Sequence, residues 1–114
     1  MTLVQYALTL ACVIAIAAGQ VMFKLSARSV AGSSALHELL FSPILIAALA
    51  VYAVATVAWI SQLRYVDLSR AYPLMALSFV IVPLASMAIL GETVAPRYWA
   101  GVALIVGGIV LTVL

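Results

Sequence analysis

Charged residues are scarce in this chain, and four long segments contain none. Asp, Glu, Lys and Arg make up 7% of the 114 residues, whereas hydrophobic residues make up 68%. A soluble domain has about 25% charged residues, so this composition excludes an ordinary water-exposed surface. The segments without Asp, Glu, Lys, Arg or His are Thr2–Phe23, Leu39–Leu63, Ala71–Gly91 and Tyr98–Leu114, of 22, 25, 21 and 17 residues.

The lengths of these segments match the thickness of a lipid bilayer. About 20 residues of α-helix cross a hydrocarbon core of roughly 30 Å. The last segment is long enough if Pro96 and Arg97, which precede it, lie in the headgroup layer. We therefore predict an all-α membrane protein with a single four-helix transmembrane domain over residues 1–114. Its helices are expected at about 2–27, 40–64, 69–91 and 96–114, with short connections, the longest of them Arg28–Glu38.

Other absences exclude further classes of function. Cys12 is the only cysteine, so an intrachain disulfide cannot form. The net charge of +2 is too small and too scattered for a nucleic-acid surface. The sequence has no cluster of metal ligands, no nucleophile–base pair and no glycine-rich phosphate loop. We therefore predict no catalytic residue, no bound metal, no cofactor and no enzymatic activity.

Two prolines fall within the third predicted helix. Pro73 lies near its first turn and Pro83 lies well inside it. An interior proline removes one backbone hydrogen bond and clashes with the carbonyl four residues earlier, here that of Phe79. We therefore predict a bend over Phe79–Pro83. A packing kink without a mechanistic role is the alternative interpretation.

Small residues form a face on the fourth predicted helix. They are Gly101, Ala103, Gly107 and Gly108. Small residues let helix backbones approach closely in lipid, where the hydrophobic effect does not drive helices together. The contact could lie within one bundle or between subunits. Because four helices packed at about 8–10 Å fill their own centre, we favour a dimer, formed with a second copy or with a related small subunit.

Polar residues near the span ends are the candidate binding groups. Gln20 and Lys24 are one helical turn apart, so they share a face and together could bind a phosphate. An interfacial anchor is the alternative role of Lys24. Glu92 follows the third span directly, where it could cap the turn, pair with Arg97 or contact substrate.

The distribution of cations gives only a weak indication of orientation. An even number of helices places Lys24, Arg28 and Arg97 on one side of the membrane, and Arg64 and Arg70 on the other. Cytoplasmic loops carry an excess of Lys and Arg. Three cations on one side against two on the other favour a cytoplasmic position for the connections that contain Lys24 and Arg97. So small a difference leaves dual insertion open.

Three segments resemble the drug/metabolite transporter superfamily in its small four-helix form. They are Ala-Gly-Gln-Val-Met-Phe-Lys at 18–24, Arg-Ala-Tyr-Pro-Leu-Met-Ala-Leu-Ser-Phe-Val at 70–80, and the long segment 91–110 that begins Gly-Glu-Thr-Val-Ala-Pro-Arg. The small multidrug resistance exporters of this superfamily have a membrane-embedded Glu in helix 1 and a Trp in helix 3. This chain resembles them in outline but has Ile16 and Met75 at those positions, which removes groups that hold a cation.

The chain is more similar to a second branch, the small subunits that flip undecaprenyl-phosphate-linked aminoarabinose for lipid A modification. This resemblance implies a multi-pass protein of the bacterial inner membrane that translocates a polyprenyl-phosphate sugar, with membrane lipid as its environment. The anionic head would engage Gln20, Lys24 and Arg28 while the tail stays in the bilayer. The positions that also carry over from the motifs are Gly19, Tyr72, Pro73 and Glu92, and of these Tyr72 and Glu92 are predicted to bind substrate.

Two alternative functions remain open at this point. A small multidrug or cation exporter of the same superfamily is the first. A non-transporting scaffold subunit, whose glycine face binds a larger membrane protein, is the second. The sequence does not identify the sugar or the energy source.

Overall fold

The computed structural model describes residues 2–32 and 35–114, and its regular elements are helices. They are α1 (Leu3–Ser29), α2 (Leu36–Leu40), α3 (Pro43–Leu63), α4 (Leu68–Met75), α5 (Ser78–Ala85), a π-helical segment (Ser86–Leu90) and α6 (Pro96–Val113). Four stretches are long and apolar enough to cross a membrane, namely Leu3–Ser29, Pro43–Leu63, Leu68–Leu90 and Pro96–Val113. The predicted fold class, an all-α membrane protein with four transmembrane helices, is confirmed.

Local capping chemistry sets the starts of the long helices. The Thr2 hydroxyl accepts a hydrogen bond from the Gln5 backbone N–H at 3.2 Å, and the Gln5 side-chain oxygen accepts one from the Thr2 N–H at 2.9 Å. This capping box satisfies two donors that the first turn of α1 leaves free. Pro43 and Pro96 begin α3 and α6, where a missing N–H costs little because that group has no intrahelical partner.

The connection after α1 differs from the predicted Arg28–Glu38 loop. Helix α1 continues to Ser29, and Leu36–Leu40 forms an additional short helix before α3. Leu36 and Leu40 of this short helix are exposed. Apolar side chains near a span end can lie in the headgroup layer, which favours a short interfacial helix over an open loop. Residues 33 and 34 of the predicted loop lie outside the described residues.

Helix α1 is the central helix of the fold. It packs along α3 and also contacts α4 and α5. Val13, Ala17 and Val21 are buried on α1. A Cβ atom on Gly19 would lie 3.1 Å from Cδ2 of Tyr52 in α3, so the missing side chain allows this close approach. The contact is of the kind expected between helices in lipid.

Helix α6 is less integrated into the chain. Its main contact is with α4, and only Val102 and Ile109 on it are buried. Leu104 and Leu111 are 81% and 74% exposed. Such large apolar side chains are suited to contact with lipid or with another membrane helix.

The third membrane helix is irregular in two places. At Ala76–Leu77 the backbone hydrogen bonds run three residues back, as from the Leu77 N–H to the Leu74 carbonyl at 3.0 Å. Mid-helix stretches of this 3₁₀ type are often positions of bending. This interruption lies upstream of the predicted Phe79–Pro83 bend, and Pro83 itself lies within α5. The second irregularity is the π-helical segment that ends the span.

A hydrogen bond from α6 compensates for Pro83. Because proline has no N–H, the Phe79 carbonyl loses its usual helical donor. The Tyr98 hydroxyl donates to this carbonyl at 2.9 Å. Backbone groups freed in a transmembrane helix must find partners in the protein, because lipid offers none. Tyr98 therefore joins the start of α6 to the proline-containing part of the third span.

The first prediction concerns this hydrogen bond. Tyr98→Phe is expected to lower the free energy of unfolding by about 1 kcal/mol. In a Pro83→Ala background the loss should be smaller, because position 83 regains an N–H that can bond to the Phe79 carbonyl. A double-mutant cycle of unfolding in detergent micelles measures the difference. Tyr72→Phe is the control, since the exposed Tyr72 makes no hydrogen bond among the described residues. Equal losses in both backgrounds would contradict the pairing.

Candidate functional site

A groove of about 470 Å³ opens at the end of the molecule where α1 ends and α6 begins. We call it the rim groove. Its lining comes from α1, from the end of the third span, from the turn that leads into α6, and from the first turn of α6. The residues are Gln20, Val21, Lys24, Val82, Pro83, Ser86, Leu90, Glu92, Thr93, Val94, Ala95 and Tyr98.

The α1 side of the rim groove carries two free polar side chains. Gln20 and Lys24 are exposed, and neither makes a side-chain hydrogen bond or ion pair among residues 2–32 and 35–114. Four residues of α-helix rise about 6 Å, so the amide lies one turn deeper than the ammonium. The pair presents amide donors and a positive charge to the same space.

The opposite wall is held by hydrogen bonds to the backbone. The Ser86 hydroxyl donates to the Pro83 carbonyl at 2.8 Å, and the Tyr98 hydroxyl donates to the Phe79 carbonyl. Both hydroxyl protons are therefore used within the protein. The hydroxyls of Ser86 and Tyr98 therefore shape the groove, whereas Gln20 and Lys24 on the α1 side are free to bind a ligand.

A glycine turn brings Glu92 to the rim groove. Gly91 has a positive φ of 70°, a conformation that side-chain-bearing residues rarely adopt. The N–H groups of Gly91 and Glu92 both bond to the Ser86 carbonyl, the latter at 3.2 Å. Glu92 thus caps the helix with its backbone, whereas its exposed carboxylate forms no ion pair with Arg97 within the described part of the chain.

Arg28 has a local partner. Its Nη1 donates to the Leu90 carbonyl at 3.0 Å, across 62 residues of sequence. The last carbonyls of a helix lack intrahelical donors, and a cationic side chain is a favourable cap for them. Arg28 therefore joins the end of α1 to the end of the third span. It borders the rim groove through Leu90 but does not line it.

Tyr72 and Pro73 lie at the other end of the molecule. Both belong to α4, and Tyr72 is 63% exposed. Arg70 lines a separate pocket there with Tyr6 and the C-terminal residues of α6. The structure thus brings Gln20, Lys24 and Glu92 together with Pro83, and it leaves Tyr72 and Pro73 away from them.

Sequence reasoning did not single out Ser86 or Thr93 as lining residues. Ser86 lies three residues after Pro83, a spacing that places the two on one helix face. That spacing was the available signal for Ser86. Thr93 enters the groove because of the backbone turn at Gly91, and its position in that turn was not singled out by the sequence.

A second groove, of about 350 Å³, also lies between α1 and the third span and is almost wholly apolar. We call it the apolar groove. It is lined by Ile14, Ala17, Ala18, Val21, Met22, Leu25, Ile81, Ala85 and Ile89. Val21 lines both grooves, so a polar and an apolar site meet at this residue. The combination is suited to a molecule with a polar head and a hydrocarbon chain.

The small residues of α6 make no close contact with other helices in the part of the chain that the structure describes. A Cβ atom on Gly101, Gly107 or Gly108 would have no atom within 4 Å apart from those of its own helix, and Ala103 is exposed. The alternative in which this face packs inside one bundle is not realised among the described residues. The face is open.

The four membrane-crossing helices define a multi-pass membrane protein, and the comparison with known families gives its class. The model of the EamA-like transporter family matches residues 1–114. The chain therefore belongs to the EamA-like transporter family. This agrees with the predicted resemblance to the drug/metabolite transporter superfamily, of which that family is part.

Curated relatives carry flippase names. The chain is 47% identical over 64 residues to proteins of Escherichia coli O139:H28, Escherichia coli K12 and Shigella boydii serotype 18. Each is named a probable 4-amino-4-deoxy-L-arabinose-phosphoundecaprenol flippase subunit ArnE. The match covers 56% of this chain and 58% of each relative. No solved structure matches the chain significantly.

The second prediction concerns the Arg28 contact. Arg28→Gln is expected to lower the free energy of unfolding by about 1 kcal/mol, because the Leu90 carbonyl loses a charged donor. Arg97→Gln is the matched control, since the exposed Arg97 makes no hydrogen bond in the described residues. Thermal unfolding of both variants in the same detergent checks this. Equal midpoints for the two variants would show that the Arg28 contact contributes nothing.

Proposed function

We propose that the chain is a subunit of a flippase that translocates a lipid-linked anionic substrate across the bacterial inner membrane. A polyprenyl-phosphate sugar of the aminoarabinose type is the proposed cargo. The observation that carries the proposal is the junction of the two grooves at Val21, with free Gln20 and Lys24 on the polar side. The names of the curated relatives support the same class of cargo.

The physical basis is a division of the substrate between two environments. An ammonium group attracts a phosphate as a point charge, and a nearby amide adds a hydrogen bond. Gln20 and Lys24 can supply these two contacts from one face of α1. The apolar groove beside them offers hydrocarbon contact to the lipid chain, which can stay in the apolar interior of the bilayer.

Movement is proposed to use the irregular third span. Secondary transporters alternate their openings largely by rocking one helix bundle against another, around a binding site that interrupted helices often form. The interruption at Ala76–Leu77 and the π-helical segment Ser86–Leu90 are the places where this span can bend most easily. The second of these forms part of the rim groove wall.

A cation exporter is not favoured. Coupling to protons generally uses a carboxylate at membrane depth. The chain has three acidic residues, Glu38, Asp67 and Glu92, and all of them lie outside the membrane-crossing helices. At the position where the multidrug exporters have their glutamate, α1 has the half-buried Ile16. Membership of a transporter family likewise favours a transporting subunit over a scaffold.

The third prediction tests the function and its residues. In proteoliposomes that contain the full chain and any subunit that co-purifies with it, the double variant Gln20→Ala/Lys24→Ala should reduce flux of a polyprenyl-phosphate sugar roughly ten-fold or more. Arg70→Ala removes a cation at the opposite end of the span and should leave flux unchanged. Absence of flux with the unsubstituted chain would refute the function. Normal flux in the double variant would refute only the assigned residues.

The proposed active form is a dimer, with a second copy or with a related small subunit, joined through the open face of α6. Gly101, Ala103, Gly107 and Gly108 would allow close helix contact between subunits. This proposal gives the open face a function and supplies the contacts that α6 lacks within its own chain.

The fourth prediction tests this interface. The double variant Gly107→Leu/Gly108→Leu should shift the protein from dimer to monomer, because the added side chains prevent close approach of the helices. Its secondary structure should be retained, since leucine forms helices better than glycine. Light scattering in detergent measures the mass, and Gly32→Leu is a control at a glycine with open space but outside the helices. An unchanged mass would place the contact elsewhere.

A further inference from the structure

The rim groove contains two formal charges of opposite sign that do not pair with each other. Lys24 is the only cationic residue in its lining, and Glu92 is the only anionic one. Neither takes part in an ion pair within the described ranges, 2–32 and 35–114. The groove therefore offers a positive and a negative site to a single ligand.

We propose that Glu92 is a specificity residue that selects head groups bearing a primary amine in addition to the phosphate. The ammonium of such a head group would donate hydrogen bonds to the Glu92 carboxylate while Lys24 and Gln20 hold the phosphate. This inference rests on the proposed function, since it concerns the head group of the same lipid-linked cargo. It adds a second recognition site to the one on α1.

The cations near Glu92 in the fold leave its carboxylate available. The Arg28 guanidinium is directed to the Leu90 carbonyl, and Arg97 is exposed without a partner among the described residues. The Glu92 backbone is fixed by its bond to the Ser86 carbonyl. The carboxylate is thus attached to an anchored backbone at the groove. A charge-assisted hydrogen bond from an ammonium is stronger than one between neutral groups.

The same carboxylate discriminates against other head groups. The lining residues that follow it, Thr93, Val94 and Ala95, carry no charge. A head group with phosphate alone would leave Glu92 without a counter-ion, and a head group with a second anion would be repelled by it. Selectivity often arises from such unfavourable contacts with the wrong ligand as well as from favourable ones with the right ligand.

The fifth prediction tests this selection by binding to the full chain in lipid nanodiscs. Two short-chain prenyl-phosphate sugars serve as probes, identical except that the amine is free in one and N-acetylated in the other. The unsubstituted chain should bind the free amine roughly ten-fold more tightly, in line with one charge-assisted hydrogen bond. Glu92→Gln should remove this preference, because it should weaken the binding of the free-amine probe and leave that of the N-acetylated probe unchanged. Asp67→Asn, at a carboxylate in the opposite connection, should preserve it.

The outcomes separate this inference from the proposed function. Lys24→Gln should weaken the binding of both probes equally, because both carry the phosphate that Lys24 is proposed to bind. Binding of neither probe to the unsubstituted chain would overturn both proposals. Equal binding of the two probes would overturn the amine selection and leave the function standing. If Glu92→Gln bound neither probe, Glu92 would have a structural role, and its proposed role in selection would be overturned.

Discussion

The constraint on which this structure depends is that the bilayer interior satisfies neither charges nor backbone polar groups. The charged side chains belong to the ends of the spans and their connections, and two carbonyls of the third span receive donors from elsewhere in the chain. Tyr98 donates to the Phe79 carbonyl and Arg28 donates to the Leu90 carbonyl. Both donors lie near the end of the molecule that carries the rim groove. The contacts that satisfy the backbone therefore lie at the same end of the molecule as the groove.

Irregular backbone in the third span gives the groove its form. A regular α-helix would direct the N–H after its last turn to the carbonyl four residues back. Here the Ser86 carbonyl receives the N–H groups of both Gly91 and Glu92, which widens the final turn and reverses the chain at Gly91. π-helical turns of this kind occur frequently at functional sites. The turn places Glu92 opposite the α1 face that carries Lys24.

The sequence predicts the spans and one side of the groove because both depend on local properties. Apolar runs of sufficient length define the helices, and a separation of four residues places Gln20 and Lys24 on one face. Contacts that depend on tertiary packing cannot be predicted from such local properties. The hydrogen bond of Arg28 spans 62 residues, and the π-helical segment arises from an apolar run that carries no pattern for it. The motif resemblance groups Tyr72 with Gln20, Lys24 and Glu92, whereas helix direction places the start of α4 at the opposite end from Lys24.

The proposed head group is also consistent with the lack of charge in the middle of the spans. A flippase must carry the polar head of its cargo through the region where an isolated charge has the highest free energy. The chain has no Asp, Glu, Lys or Arg within residues 71–91 to compensate for a net negative head at that depth. A head group with both an ammonium and a phosphate has no net charge, and the two groups can partly compensate each other as they leave water. The lack of charged residues within 71–91 is thus consistent with the proposed zwitterionic cargo.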